Sequence, residues 1–522
     1  MSGLDRDIML ETLESYESVW DVIVIGGGAT GLGTALDAAS RGYSTLLLEQ
    51  ADFAKGTSSR STKLAHGGVR YLQQGDVSLV VEALHERGLM MQNAPHLVHN
   101  QAFVIPTYEW WNGPFYTVGM KVYDMLAGKL GLGPSKSLSK EETIEKIPTV
   151  EQDGLKGGVI YYDGQFDDAR LAVNLAQTCA DNGGNLINYM KVTGLLKSNE
   201  MVSGVIAEDL ETGKLYRING RVVINATGVF VDHVIQMDNP AAKNIVQPSQ
   251  GVHVVLDKEF LPGDSAIMVP KTDDGRVLFA VPWNDKVVVG TTDTPVKDVS
   301  LEPRALEEEV EFILDHAAQY LTKDPDRSDV LSVYAGLRPL VKTSEGKSTS
   351  QISRSHSILV SVSGLVTITG GKWTTYRKMG EDAVDKAALI AGLEDRESKT
   401  KDLRIRGWLR NVDSSNPLWF YGSDFIAIRK MVERNPELGE PLHSDLPIIQ
   451  AQVIWAAKNE MARTVEDFLS RRTRALLLNA RASIEMAPKV AELLARKLRK
   501  DEAWQQQQVK SYRELASGYL LN

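Results

Sequence analysis

The sequence predicts an α/β protein with three parts: a Rossmann-like dinucleotide-binding domain, a mixed-sheet domain inserted into it, and a helical C-terminal domain. Three observations predict this. Residues 21–49 read strand, glycine turn, helix, strand, acid. Residues 251–256, 277–281 and 286–291 are short alternating strands, an antiparallel pattern. From about 420 onward the apolar spacing is helical.

The totals agree. A chain of 522 residues is too long for one core, so two or three domains are expected. A net charge of −10 argues against nucleic acid as a partner. The one cysteine, Cys179, excludes disulfides, a four-cysteine cluster and a cysteine-rich zinc site, and no metal site is expected. It falls in a helical run and reads as a buried structural thiol. Residues 1–20 are polar and acidic, without the basic and apolar regions of a secretory signal. No window approaches the roughly 20 apolar residues of a membrane span. The chain is expected to be soluble or to lie on a membrane face.

In the first unit, residues 22–25 are apolar and β-branched, as a buried parallel strand requires. Gly26, Gly28 and Gly31 follow with G-x-G-x-x-G spacing. Gly26 permits the tight turn, Gly28 lets backbone approach a pyrophosphate, and Gly31 lets helix and strand pack closely. The helix N-terminus, with Ala29 and Thr30, offers unpaired N–H groups to phosphate. Gly42 ends the helix, 45–48 is a second strand, and Glu49 is placed to accept from ribose hydroxyls. The motif alone is weak, and a glycine-rich turn of no function is its rival; the strand–turn–helix–strand–acid context decides.

Residues 56–72 are dense in small and hydroxyl side chains and include Thr57, Ser58, Ser59, Lys63, Leu64, His66, Gly67, Arg70 and Tyr71. The plain alternative is a solvated loop. A helix over 77–91 follows at once, so the loop is expected to lie against something and to add phosphate and ring contacts. Residues 100–135 hold Tyr108, Trp110, Trp111, Phe115, Tyr116 and Tyr123. They suit a domain core, or a membrane-facing patch flanked by Lys121, Lys129 and Lys136. Asp167 and Asp168 cap a helix over 169–180. A strand over 221–225 ends in Ala226-Thr227-Gly228, another close-approach site. His253 follows Gly251 and starts a strand. Arg338 precedes a proline, so its backbone is extended. Gly370-Gly371-Lys372 and then Thr374 repeat strand, glycines, helix, now with a cation. Residues Arg471, Arg472 and Arg474 read as surface or interdomain charges. Phe468, Leu469 and Leu476–Leu478 (residues 476–478) read as core.

These segments resemble a family. IGGGATGLGTALDAASRG, HGGVRYL, NATG, GTTDT, LRPL and GGKWTTYRK occur in that order. The chain resembles FAD-dependent glycerol-3-phosphate dehydrogenases, within the glutathione-reductase-like clan that also holds glycerophosphate oxidases and D-amino-acid oxidases. Two positions depart from the pattern: Gln250, where a basic residue is expected, and Gly380, where alanine is usual. The resemblance implies non-covalent FAD bound by Gly26, Gly28, Ala29, Thr30, Gly31, Glu49, Thr57, Ser58, Ser59, Lys63, Leu64, His66, Gly67, Val192, Ala226, Thr227, Gly228, Arg338, Gly370, Gly371, Lys372 and Thr374. It implies sn-glycerol 3-phosphate as substrate, with Arg70, Tyr71, His253, Arg338 and Lys372 around it. Hydride would go to flavin N5 and the hydroxyl proton to His253, with His66 as the second choice. Catalytic roles fall to His253, Arg338 and Lys372. The usual acceptor in such a family is a membrane quinone, reached from the cytoplasmic face; oxygen serves in the oxidase branch. Peripheral membrane contact and a homodimer stay open. So do an amine or amino-acid oxidase of the same clan and a non-catalytic flavin-binding scaffold.

The expected division is a lead-in over 1–20; a discontinuous FAD domain over 21–105, 160–245 and 330–395; a substrate domain over 106–159 and 246–329; a linker over 396–416; and a helical cap over 417–522.

Overall fold

Strand residues buried on both faces organise the first half of the protein. In the computed structural model, which describes residues 4–68, 77–109, 112–270, 272, 276–342 and 355–521, strand Trp20–Ile25 is buried except at Asp21. It pairs in parallel with Thr45–Leu48 on one side and with Leu215–Asn225 on the other. Asn185–Ile187 extends the sheet beyond Thr45–Leu48. Val366–Gly370 extends it in parallel beyond Leu215–Asn225, and His356–Val360 closes that edge antiparallel. An antiparallel ribbon, Met190–Ser198 with Met201–Asp209, completes an eight-stranded sheet. Parallel strands need helical crossovers. Helix Ala29–Ser40 supplies the first and packs against Asp168–Asp181 and Tyr376–Ala391.

The second sheet is built differently. Its ten strands run mostly antiparallel, and Ala266–Val269 against Val98–Thr107 is its parallel pair. Val246–Asp257 is flanked by Ser332–Val341 on one side and by Thr294–Pro295 and Lys286–Gly290 on the other. Val98–Thr107 and Gly157–Phe166 cross the expected boundaries at 105 and 160, and Ser332–Val341, assigned from sequence to the first domain, runs here too. Residues 396–416, expected as a linker, lie on the first domain: Arg396 donates to the Gly42 carbonyl, Ser398 to Asp37, and Ile405 is buried.

The C-terminal part is helical, as expected, with Phe468, Leu469 and Leu476 to Leu478 buried. It also carries a small hairpin, Pro441–His443 with Leu446–Ile449. Arg471, Arg472 and Arg474 are not on the surface. They are buried between this part and the nucleotide-binding half. Cys179 is buried.

Helix Asn112–Ala127 divides the aromatic stretch between two roles. Met120 and Tyr123 face a core cluster. Phe115, Val118, Val122 and Met125 are exposed along one stripe. Trp110 and Trp111 lie outside the described residues. Among the described residues no helix is long and apolar enough to cross a membrane.

Gly380, where relatives are expected to carry alanine, sits against helix Ala29–Ser40. A Cβ there would stand 2.6 Å from the Gly33 backbone, and one on Gly33 would stand 2.8 Å from the Tyr376 carbonyl. The two helices touch backbone to backbone. Gly380→Ala should therefore destabilise the chain by about 1–3 kcal/mol through overpacking, offset in part by the better helix propensity of alanine. Urea denaturation of the two proteins checks the sign: an alanine variant of equal or higher stability would show that the helices separate freely.

Candidate active site

The first glycine junction forms as its spacing predicts. Gly26 has φ +109°, and a Cβ on it would stand 2.7 Å from the Ala226 carbonyl. Gly31 is tighter still: a Cβ would overlap the Gly26 carbonyl at 1.8 Å. Gly28 caps helix Ala29–Ser40 without a side-chain hydrogen bond. Glu49 accepts from Gly27 N at 2.6 Å and from Ala51 N at 2.8 Å. Burial pushes its carboxyl up, and these two N–H donors oppose that.

The second junction meets the first. Gly370 and Gly371 have φ +78° and +71° and lead through Lys372 into the turn Trp373–Thr375. Trp373 Nε1 donates to the Ser58 carbonyl at 2.8 Å, and His66 N donates to Thr374 Oγ1 at 3.2 Å. Thr57 Oγ1 donates to the Leu337 carbonyl at 2.6 Å, tying the same loop to the second sheet. The elements enclose a cavity of about 570 Å³. Its wall includes Gly26, Gly28, Ala29, Thr30, Glu49, Thr57, Ser58, Leu64, His66, Val192, Ala226, Thr227, Gly228, His253, Arg338, Gly370, Gly371, Lys372 and Thr374. The turns that lack Cβ atoms, the exposed helix start and the half-buried acid fit the pyrophosphate and ribose of a dinucleotide.

Four expected contacts are not on that wall. Gly31 packs helix against strand instead. Ser59 and Gly67 face other protein groups: the Ser59 carbonyl accepts from Lys63 and Arg474, and Gly67 N donates to Tyr123. Lys63 is turned inward at φ +64°, and its ammonium donates to Asp168 at 2.7 Å, away from the cavity wall. Burial and the nearby Arg474 push the Lys63 amine down to about 7, against the pull of Asp168. Arg70 and Tyr71 lie outside the described residues.

His253 lies in the middle of strand Val246–Asp257, not at its start. It pairs across to Gly290 and Tyr334. Its Nε2 is 2.9 Å from Thr62 Oγ1, and its ring stacks on Tyr334 with centroids 4.9 Å apart. Burial, with the positive charges of Lys63 and Arg338, holds the imidazole well below its ordinary value, so it is neutral at working pH. Arg338 is braced by neighbours: it donates to Gln250 O, Thr291 Oγ1 and Thr292 O and pairs with Asp293 at 3.2 Å. Gly251 makes room for that guanidinium, since a Cβ would stand 2.4 Å from Nη2. Gln250, the expected basic position, donates instead to the buried Glu309 and to the Arg304 carbonyl.

Ser61 and Thr62, which sequence did not single out by themselves, also line the cavity; Tyr334 and Asp168 lie behind them, one stacked on His253 and the other accepting from Ser61. Asp168 is the first residue of its helix, and Asp167 is the cap. Thr62 sits in the hydroxyl-rich loop singled out from sequence, but nothing local marks which hydroxyl meets the histidine. The helix Val231–Asp238 after Gly228 also reaches the cavity, with His233, Val234 and Met237.

Comparison with known proteins places this cavity in context. Residues 21–377 match a family model described as FAD dependent oxidoreductase, and residues 398–505 match the C-terminal domain of alpha-glycerophosphate oxidase. The chain is 42% identical to the mitochondrial glycerol-3-phosphate dehydrogenase of Rattus norvegicus, across 97% of this chain and 74% of that protein. It is 38% identical to the protein of the same name from Schizosaccharomyces pombe, across 95% and 87%. Its structure resembles the glycerol-3-phosphate dehydrogenase of Bacillus halodurans complexed with FAD, with a TM-score of 0.81, 30% identity, and 99% and 98% coverage.

The overlap at Gly31 generates a direct test. Gly31→Ala must push the helix from the turn, and about 1–3 kcal/mol of strain corresponds to roughly tenfold or more in flavin affinity. FAD retained on purification, read from absorbance near the visible flavin band, should fall sharply. A fully yellow variant with unchanged FAD affinity would refute the close-approach role.

Proposed function

The chain belongs to the FAD-dependent oxidoreductase family that includes the glycerol-3-phosphate dehydrogenases, and on that premise we propose that it oxidises sn-glycerol 3-phosphate to dihydroxyacetone phosphate and passes the electrons to a membrane quinone. The observation that carries this reading is the single cavity in which both glycine junctions, His253, Arg338 and Lys372 meet. FAD, when bound, supplies the hydride acceptor; the first junction and Glu49 would hold its diphosphate and ribose. The chain's own residues do the rest. Arg338 and Lys372 offer positive charge to the phosphate, with Arg70 and Tyr71 assigned to the same task by resemblance alone. A guanidinium suits phosphate because its fork donates two parallel hydrogen bonds. Neutral His253 takes the C2 hydroxyl proton, which needs an unprotonated base within reach.

The exposed stripe on helix Asn112–Ala127 supports the choice of acceptor. Phe115, Val118 and Met125 are each more than 60% exposed, on a face with Lys121 beside it. Such a helix suits the headgroup boundary of a membrane, where a quinone is available. The face would be the cytoplasmic one, whereas the relatives' names read mitochondrial. A second reading uses oxygen instead, favoured by the match of residues 398–505 to the oxidase C-terminal domain.

Anaerobic titration with glycerol 3-phosphate should bleach the bound flavin, and a quinone analogue should reoxidise it faster than air does. Val118→Asp with Met125→Asp should slow reoxidation by quinone in vesicles while leaving the bleaching rate alone. Bleaching by an N-methyl amino acid but not by glycerol 3-phosphate would reverse the substrate, and fast reoxidation by air alone would move the chain to the oxidase branch.

Lys372 is also proposed to steady negative charge on the reduced cofactor, as a fixed cation does best where water is excluded. Lys372→Met should then lower the flavin reduction potential. An unchanged potential in spectroelectrochemical titration would count against that role.

A further inference from the structure

His253 is gripped from several sides by one short loop and its neighbours. Thr62 Oγ1 meets Nε2 at 2.9 Å. Tyr334 lies flat against the imidazole, 11° from parallel, and its hydroxyl donates to the Ser61 carbonyl at 2.9 Å. Gly290 closes the edge, where a Cβ would stand 2.4 Å from Cδ2. Two of these contacts therefore depend on where residues 61 and 62 sit.

That loop is in turn held from behind. Asp168 Oδ2 accepts from Ser61 N at 3.1 Å, from Ser61 Oγ at 2.7 Å and from Lys63 Nζ at 2.7 Å. Lys63 also donates to the Ser59 carbonyl at 2.9 Å. Arg474 donates to the same Ser59 carbonyl at 2.7 Å and to Asp168 Oδ1 at 3.0 Å. Asp168, Lys63 and Arg474 are all buried. Lys63 and Arg474 both take left-handed backbone conformations, φ +64° and +65°, which a branched network of this kind must enforce.

We propose that Asp168 and Arg474 are positioning residues for His253, acting through the Ser61–Thr62 segment (residues 61–62) to fix the ring and its tautomer. Arg474 comes from the helical C-terminal domain, so that domain completes the proton-transfer geometry without touching the substrate. If Nε2 carries the ring proton and donates it to Thr62 Oγ1, Nδ1 is left as the bare acceptor. Nδ1 is buried and has no hydrogen-bond partner among the described residues, while the residue as a whole lines the cavity. The charged and titratable groups that face the ring are Lys63, Asp168, Arg338 and Tyr334. The proposal rests on the reading of His253 as the proton acceptor.

The test is stopped-flow reduction of the bound flavin by glycerol 3-phosphate in the holoenzyme. Thr62→Val should lower the limiting reduction rate about 10- to 100-fold, the scale of a misplaced catalytic group, while glycerol 3-phosphate affinity stays within about threefold. Thr62→Ser should restore the rate. Arg474→Gln, measured on the fraction that retains FAD, should show the same split between rate and affinity. His253→Asn is the reference. If it reduces flavin at the parent rate, the base assignment falls and this proposal with it. If His253→Asn is slow but Thr62→Val is fast, positioning alone is overturned. If Thr62→Val is slow and Arg474→Gln is not, the C-terminal domain has no part in it.

Discussion

Buried charge pairing between the nucleotide-binding half and the helical C-terminal part is the constraint on which the site's geometry depends. Asp52 accepts from Arg471 Nε at 2.5 Å and from Arg472 at 2.7 and 2.8 Å. Arg170 reaches Glu460 in a bidentate pair at 2.9 and 2.5 Å. Arg474 joins Asp168. These groups are buried, so each charge stays put only while its partner does: removing one member of such a pair costs about 3–5 kcal/mol. Arg471 and Arg472 both lie on the π-helical turn Asp467–Arg472, and both are buried. Burial would raise the Asp52 carboxyl, but the two guanidiniums overcome it and hold it down to about 2. Asp52 lies three residues beyond Glu49, which lines the cavity.

The same seam explains how an acidic protein can offer an anion site. With a net charge of −10, the chain as a whole repels a phosphate ester. Screening limits that repulsion to about 8 Å at physiological salt. Under the proposed function the substrate would meet local charge inside the cavity, from Arg338, Lys372 and the dipole ends of two helical junctions. Arg170, Arg471, Arg472 and Arg474 at the domain boundary are paired with buried carboxylates, whereas Arg338 and Lys372 line the cavity.

Local patterns carried much of this into the sequence. The glycine spacing, the β-branched strand before it and Glu49 after it are all short-range signals, and the first sheet forms around them. The second junction was legible for the same reason. What sequence could not show is pairing at long range. Lys63 reads as a phosphate ligand by composition, yet its left-handed backbone turns it toward Asp168, 105 residues away. Arg474 reads as a surface or interdomain charge, and no local signal names its partner, the same carboxylate 306 residues away. Gly380 stands in the sequence only as a departure from alanine, and the helix contact at Gly33 shows what its missing Cβ is for. The position of His253 inside its strand depends on ten residues of pairing with Ser332–Val341 that no local window contains.

The site must reconcile two demands that oppose each other. Binding a dianionic phosphate calls for cations, and cations close to a histidine make it a poorer base. Arg338 and Lys63 do depress His253. The structure limits the damage by giving each its own acid: Asp293 for Arg338 at 3.2 Å, and Asp168 for Lys63 at 2.7 Å. Pairing with Asp293 reduces the net field of Arg338 at the imidazole, and its bonds to Gln250 O, Thr291 Oγ1 and Thr292 O hold the guanidinium in place. Lys63, which makes no cavity contact, contributes stiffness instead. Had it faced the phosphate, as its composition suggested, Asp168 would have been left buried beside the histidine with Arg474 as its one strong partner, and the Ser61–Thr62 segment (residues 61–62) would have lost the brace that aims the ring.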